Sequence, residues 1–246
     1  MDMRELKLSV TNCYLIETGN KYLLIDTGYN EDWGLFQKRL KEAGVSISDI
    51  SYILLTHHHD DHCGLLNHIL EENQGIRVIM SYRAKGYLLA GKNDQSQGGR
   101  FVNKRVKLFI SFIRLFDKRW KDHTFPAYQT RDIDILLKGD TCFNDIGIRL
   151  DGKIIEAPGH SMDSISIIFA DGDCIAGDAA ANFPKFLGAK YCVIIIEDLG
   201  SYYRSWRKLI SEGARKIYPA HGEPFPVEKL EENLDKNREK DMVVIS

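Results

Sequence analysis

The amino-acid sequence predicts a layered α/β protein, and three observations support that prediction. Short apolar runs typical of buried strands alternate with segments whose apolar residues recur at helical spacing. Turns that contain glycine separate these segments. The 246 residues carry an apolar share of 43% and a net charge of -2, as an ordinary globular protein does. We therefore expect one domain over residues 1–246.

The first elements predicted are a hairpin and a helix. Residues 6–17 predict a strand, and residues 22–25 predict its partner across a turn at residues 18–21. From Trp33 to Ala43 apolar residues follow at helical spacing, and Gly44 is the expected C-terminal cap. A strand followed by a helix is the pattern that continues along the chain.

Residues 51–56 form a nearly continuous apolar run that is typical of a strand buried on both faces. This strand leads directly into a cluster of histidines. A helix is predicted from about Cys63 to Glu72, and a further buried strand over residues 75–80.

Residues 83–129 interrupt the alternation and predict a helical insertion. A polar stretch from Gly91 to Gly99 precedes an apolar helical segment over residues 106–116, with basic residues beside it and Trp120 beyond it. The segment has two apolar faces, so we expect it to cover more than one surface. A lid over an apolar, anionic substrate, a homodimer contact, a membrane-surface helix and a helix of the core are the interpretations left open.

The strand pattern returns after Pro126. Strands are predicted over residues 133–137, 146–150, 153–156, 165–169 and 173–176, and a helix over residues 201–212. The chain thus offers two similar halves, each with several strands followed by a helix.

Composition narrows the class of partner and the compartment. The near-neutral charge and the lack of a long basic block argue against nucleic acid and leave a small-molecule substrate. No stretch approaches the ~20 apolar residues that span a bilayer, and the first residues do not resemble a signal peptide. Five cysteines, odd in number and scattered, suit reduced thiols and predict a cytoplasmic protein.

Residues 56–62, Thr-His-His-His-Asp-Asp-His, carry the strongest chemical signal. Neutral imidazole and carboxylate are good zinc ligands, and a turn that leaves a buried strand directs His57 and His59 to one ion. Asp61 and His62 can then serve a second ion beside it. His58 is expected to point the other way, because alternate residues of an extended segment face opposite sides.

The pattern His57-x-His59-x-Asp61-His62 resembles the signature of the metallo-β-lactamase superfamily, and four further segments match that family's motifs in order. These are Asp26-Thr27-Gly28, Ala157-Pro158-Gly159-His160-Ser161, Ala176-Gly177-Asp178 and Pro219-Ala220-His221-Gly222. The resemblance implies a four-layer αββα sandwich with the insertion near residues 83–129.

The resemblance also implies a ligand set and an activity. His57, His59 and His160 would hold one metal, Asp61, His62 and His221 the other, and Asp178 would bridge the two. The implied cofactors are two divalent ions, foremost zinc, with iron or manganese as alternatives. The implied enzyme is a binuclear hydrolase that uses a metal-bridging hydroxide, oriented by Asp61, on a small ester, thioester, lactone or phosphodiester.

Two other functions stay open, as does one residue's role. A metal-binding sensor or partner-binding protein would keep the centre with little catalysis, and an iron-dependent enzyme would use oxygen. Asp178, where zinc β-lactamases have cysteine, argues against antibiotic hydrolysis, and Ala181 departs from the tyrosine of homoserine-lactone lactonases. Asp26 either fixes the orientation of a ligand or only ends its strand.

Overall fold

The structure of the chain is a computed structural model that describes residues 3–94, 98–117 and 123–245. The chain divides into two compact units, each with an apolar core of its own. The first unit runs to Asn93 and resumes over Thr124–Ile154, and the second comprises Asp94–His123 and the chain from Ile155 onward.

Strands and helices alternate along much of the chain. The strands of the described residues are β1 Met3–Lys7, β2 Asn12–Glu17, β3 Tyr22–Ile25, β4 Ile50–Leu54, β5 Arg77–Ser81, β6 Arg100–Phe101, β7 Ile135–Leu137, β8 Thr141–Cys142, β9 Gly152–Glu156, β10 Ile165–Phe169, β11 Asp173–Gly177, β12 Ile195–Ile196, β13 Lys216–Pro219, β14 Phe225–Pro226 and β15 Val243–Val244. The α-helices of the same residues are α1 Trp33–Glu42, α2 Asp60–Cys63, α3 Leu66–Glu72, α4 Ala84–Ala90, α5 Lys104–Ile113, α6 Leu199–Ser211 and α7 Glu228–Asn233.

The sheet of the first unit has the strand order β1-β2-β3-β4-β5-β7. Its first three strands are antiparallel, and β3, β4, β5 and β7 are parallel to one another. The prediction of one strand over residues 6–17 is wrong: a turn closed by the Leu8 N–H donating to the Thr11 carbonyl (3.0 Å) divides it into β1 and β2. The parallel part of this sheet matters for function, because its strands end at one edge.

Helices of the first unit pack on its sheet through residues at helical spacing. Phe36 and Leu40 of α1 and Ile69 of α3 share one buried cluster with Leu15 and Leu24 of the strands. Burying such side chains contributes about 1.5–3 kcal/mol each relative to exposure. The predicted helix α1 is confirmed, including its end at Gly44 in the left-handed region (φ 69°).

The single helix predicted from Cys63 to Glu72 is wrong in one respect, since the chain forms two helices, α2 and α3, with a break at Gly64. A Cβ atom on Gly64 would lie 2.5 Å from the Asn30 nitrogen and 2.8 Å from the Gly28 carbonyl oxygen. Only glycine permits so close an approach of two backbone segments. The short helix α2 is a separate element that carries Asp61 and His62.

The second sheet has the order β14-β13-β11-β10-β9-β8. Strand β11 is antiparallel to β10 and parallel to β13. The strand predicted over residues 146–150 is wrong, because Phe143–Ile146 is a 3-10 helix that ends at Gly147 in the left-handed region (φ 78°). In the second unit, Tyr202, Trp206 and Leu209 of α6 form one buried face of the core, so the helix predicted over residues 201–212 is confirmed.

The predicted insertion contains a helix, α5, whose Val106 and Ile110 belong to the core of the second unit. Beside it, β6 pairs with both β12 and β15 in a small sheet. The interpretation of α5 as a helix of the core is thus correct for one of its faces. Lys118, Arg119 and Trp120 lie outside the described residues, and no helix in the described ranges is long and apolar enough to cross a membrane.

Candidate metal centre

The first ligand cluster lies where two parallel strands of the first unit end. Ile25 of β3 is in register with Leu54 of β4, so the residues that follow both strands emerge at the same sheet edge. Asp26 follows β3 directly, and the segment from Thr56 to His62 follows β4. The Asp26 N–H donates to the Leu54 carbonyl (2.9 Å), and the Thr27 N–H donates to the His62 carbonyl (2.7 Å). Backbone hydrogen bonds thus fix the cluster to the strand ends.

Four predicted ligands lie together in this cluster. The His57 ring lies 4.6 Å from the His59 ring and 4.0 Å from the His62 ring, between centroids. The donor atoms of His57 lie within 4.8 Å of those of His59 and of His62. His62 Nε2 lies 3.5 Å from Asp61 Oδ2, and His57 and His62 are buried.

The buried carboxylate of Asp26 accepts hydrogen bonds from residues of this cluster. Its Oδ1 accepts a hydrogen bond from the Thr56 N–H (2.8 Å), and its Oδ2 accepts from the Thr56 hydroxyl (2.8 Å) and from His62 Nδ1 (2.8 Å). Thr56 Oγ1 also lies 3.1 Å from His57 Nδ1. With the Nδ1 protons directed this way, Nε2 is the nitrogen of His57 and His62 that can bind a metal. Asp26 therefore orients a ligand candidate in addition to ending its strand.

The second ligand cluster repeats this arrangement in the second unit. Gly177 at the end of β11 is in register with Pro219 at the end of the parallel strand β13. Asp178 and His221 follow these ends and again emerge at one edge. His221 Nε2 lies 3.2 Å from Asp178 Oδ1, and His160 Nε2 lies 3.3 Å from Asp178 Oδ2. The two carboxylate oxygens of Asp178 thus each face a different imidazole.

His160 is held by its own loop and by helix α6. Its Nδ1 lies 2.9 Å from the Ile195 carbonyl oxygen, which assigns the ring proton to Nδ1 and directs Nε2 toward Asp178. The preceding Gly159 has a φ of 138°, and a Cβ there would lie 2.4 Å from the Tyr202 Cα. The Tyr202 hydroxyl donates to the Asp178 carbonyl (3.1 Å) and accepts from the Val193 N–H (3.1 Å). Burial raises the pKa of that hydroxyl well above its usual value, so it remains a donor.

A half-buried carboxyl group lies beside the His160 loop. The Glu197 N–H donates to the Gly159 carbonyl (2.9 Å). Burial, together with the negative charges of Asp163 and Asp94, raises the pKa of the Glu197 side chain to about 8. Glu197 is therefore largely protonated at neutral pH in the metal-free protein.

Histidines outside the ligand set have other partners. The buried His58 stacks on Tyr87, with ring centroids 4.3 Å apart, and His68 on α3 stacks on Trp33 at 5.3 Å. Among the described residues, neither histidine belongs to a group of potential metal ligands.

The matching family sequence model, described as "Metallo-beta-lactamase superfamily", covers residues 6–221. This span includes both ligand clusters. The chain belongs to the metallo-β-lactamase superfamily. The predicted resemblance and the predicted fold class are confirmed, and membership of this superfamily supports the expectation of a metal-dependent hydrolase.

Relatives and solved structures agree with the assignment. The chain is 27% identical over 243 residues to "Probable metallo-hydrolase YqjP" of Bacillus subtilis, covering 92% of this chain and 72% of the relative. It is 26% identical over 222 residues to "Atrochrysone carboxyl ACP thioesterase AacuM" of Aspergillus aculeatus, covering 89% of this chain and 53% of the relative. A crystal structure of an archaeal metallo-beta-lactamase superfamily protein from Sulfolobus tokodaii matches with a TM-score of 0.63 at 20% identity, covering 95% of this chain and 85% of that one. This chain thus spans between about half and three quarters of the length of these curated relatives.

Sequence reasoning missed three residues that position the ligands. Thr56 links Asp26 to two histidines, Tyr202 supports the backbone at Asp178, and Thr11 donates from its hydroxyl to Asp61 Oδ2 (3.3 Å). Thr56 had a signal in the sequence, because it directly precedes the first ligand. Tyr202 and Thr11 are distant along the chain from the residues they support, and only the fold brings them there.

Proposed function

We propose that this chain is a binuclear metal-dependent hydrolase whose two ligand clusters serve one centre. His57, His59 and His160 would hold the first metal, Asp61, His62 and His221 would hold the second, and Asp178 would bridge the two. Zinc is the expected metal, with iron or manganese as the alternatives. The order of the five motifs along the chain supports this assignment.

The geometry of Asp178 is the observation that carries the proposal. Its two oxygens lie 3.3 Å from His160 Nε2 and 3.2 Å from His221 Nε2. These two histidines are assigned to different metals, so one carboxylate offers one oxygen toward each. That arrangement suits a carboxylate that would bridge two metal ions.

The donor set also fits divalent transition metals. It consists of imidazole nitrogens and carboxylate oxygens, which suit zinc, iron and manganese. Because Nδ1 of His62 and of His160 is bound to Asp26 and to the Ile195 carbonyl, both rings present Nε2. When bound, the ions supply a water of lowered pKa and polarise the oxygen of the scissile group.

The chain's own residues hold and orient the reactants. Asp61 is the catalytic candidate, since its carboxylate, 14% exposed, lies beside the His62 ring and accepts a hydrogen bond from Thr11. It orients the attacking water. Asp26 and Thr56 keep the imidazoles in place throughout the reaction, which reduces the reorganisation needed on reaching the transition state.

Among the expected substrates, a thioester is the first to test. The Aspergillus relative is named as a thioesterase, and the Bacillus relative as a metallo-hydrolase. An ester, a lactone and a phosphodiester remain in the same panel. The predicted cytoplasmic location and the homodimer stay predictions.

Metal analysis and kinetics test the proposal together. Protein purified without added metal is analysed for its metal content and assayed with p-nitrophenyl esters, thioesters, lactones and bis-p-nitrophenyl phosphate. About two equivalents of metal and chelator-sensitive turnover of one class are expected. The matched variants are His57→Ala, which should lose metal, and His68→Ala, which should keep both metal and activity.

Asp61→Ala separates the enzyme from a sensor. In an enzyme this variant loses turnover by orders of magnitude. Full metal content with no turnover of any substrate in the unmodified protein would instead favour a metal-binding sensor. Oxygen consumption by an iron-loaded sample would favour the oxygen-using alternative.

A further inference from the structure

Helix α5 has a second apolar face that is exposed. Leu108, Phe112, Leu115 and Phe116 recur at i, i+4, i+7 and i+8, which places them on one side of the helix and the turn that continues it. Their exposed fractions are 74%, 61%, 70% and 77%, and that of the nearby Phe186 is 67%. We call these five residues the apolar patch. Large apolar side chains exposed side by side mark an interaction surface.

The apolar patch is held in place by the fold. The Asn103 side chain caps α5 by accepting from the Val106 N–H (3.0 Å), and its amide group donates to the Leu187 carbonyl (3.1 Å). Phe109 contacts Phe186 edge to face, with centroids 5.5 Å apart. The helix and the turn that carries Phe186 are therefore tied together, and the patch is presented without a rearrangement.

Basic residues predominate around the apolar patch. From Lys104 to Asp117 the chain carries four basic residues, Lys104, Arg105, Lys107 and Arg114, against one acidic residue, Asp117, and Lys185 directly precedes Phe186. Lys104, Arg105 and Lys185 are exposed. Two copies of this chain that met through the patch would bring like charges together. The charge therefore favours an anionic partner over a second copy.

We propose that the apolar patch and its basic rim bind the surface of an anionic lipid bilayer. Exposed phenylalanine and leucine side chains enter the boundary between headgroups and acyl chains, while lysine and arginine contact the anionic headgroups. The patch does not span the membrane. This inference is independent of the proposed hydrolysis and of its metals.

Vesicle sedimentation of the 246-residue chain tests this inference. The vesicles are phosphatidylcholine alone, and phosphatidylcholine with phosphatidylglycerol. We expect binding to the anionic vesicles that falls with added salt, and little binding to the neutral ones. Phe112→Ser with Phe116→Ser should weaken binding by on the order of tenfold or more. Lys104→Glu with Arg105→Glu should weaken it by at least about fivefold per charge.

The control variant is Leu89→Ser with Ile133→Ser, which changes two exposed apolar residues of the first unit (57% and 43% exposed). It should bind as the unmodified protein does, and thermal unfolding followed by circular dichroism verifies that all variants fold. The inference is overturned if no vesicle is bound, or if the control loses as much binding as the patch variants. It is also overturned if light scattering shows that the unmodified protein is a dimer that binds no vesicles, and that the Phe112→Ser with Phe116→Ser variant is a monomer.

Discussion

Removing the Asp26 carboxylate tests how the first ligand cluster is organised. This side chain accepts three hydrogen bonds, two from Thr56 and one from His62 Nδ1, all at 2.8 Å. In Asp26→Ala the Thr56 N–H and the His62 Nδ1–H lose their acceptor in a buried place. In Asp26→Asn the shape is kept, but the NH2 group opposes at least one of the former donors.

The magnitudes follow from this count. Each buried donor left without an acceptor costs about 1–3 kcal/mol, so Asp26→Ala should lose roughly 2–6 kcal/mol of unfolding free energy. Asp26 also has a φ of 58°, a conformation that asparagine tolerates better than alanine. Asp26→Asn should therefore lose only about 1–3 kcal/mol. Because His62 loses its orientation in both variants, zinc affinity should fall by about 10–100-fold.

Two measurements separate these effects. Urea denaturation of metal-free protein gives the unfolding free energy, and competition with a chromophoric chelator gives the zinc affinity. The matched control is Asp134→Asn, which alters another fully buried carboxylate of the first unit, bound to Tyr128 and Arg131 and outside the ligand set. It should lower stability and leave zinc affinity unchanged. Unchanged zinc affinity in Asp26→Asn would refute the orienting role of Asp26. An equal loss of zinc affinity in Asp134→Asn would show that general destabilisation of the first unit causes the effect.

Three further predictions concern the second unit and use metal-free protein. Gly159→Ala should lose roughly 2–5 kcal/mol of unfolding free energy in urea denaturation, because the new Cβ would lie 2.4 Å from the Tyr202 backbone. The control Gly34→Ala, whose new Cβ has no atom within 4 Å, should gain about 0.5–1 kcal/mol. Equal effects of the two substitutions would contradict this prediction. Tyr202→Phe should lose about 1–3 kcal/mol, since the Val193 N–H loses its acceptor, and unchanged stability would show that this bond contributes nothing. The pKa of Glu197 is raised from 4.5 to about 8, so the folded state binds the Glu197 proton more tightly than the unfolded chain does. This proton binding stabilises the folded state fully below about pH 4.5, and the stabilisation is lost as the pH rises through 8. Melting temperatures from pH 5 to 9 should show that decline, and Glu197→Gln should flatten it; an equal slope in both proteins would contradict the assignment.

Errors in the predicted elements have local physical causes. The strand over residues 6–17 became two strands because a turn at residues 8–11 is not marked by glycine or proline. The break between α2 and α3 lies at Leu65 (φ -87°, ψ 0°), next to Gly64, whose backbone packs against Asn30 and Gly28, segments far apart in sequence. An apolar pattern over residues 146–150 did not form a strand, since the chain turns at Gly147.

The sequence by itself determined the class of fold, the ligand candidates and the family. It did so because the metal-binding chemistry requires particular side chains, and because most of them follow an apolar strand that the pattern marks. Only the tertiary structure decided which residues orient the ligands: Asp26 reaches His62 through the parallel pairing of β3 and β4, and Tyr202 reaches Asp178 through the packing of α6. It also decided that one face of α5 is buried and the other exposed. An apolar pattern in the sequence indicates which side chains are favoured in a buried position. It does not indicate which of them another part of the folded protein will cover.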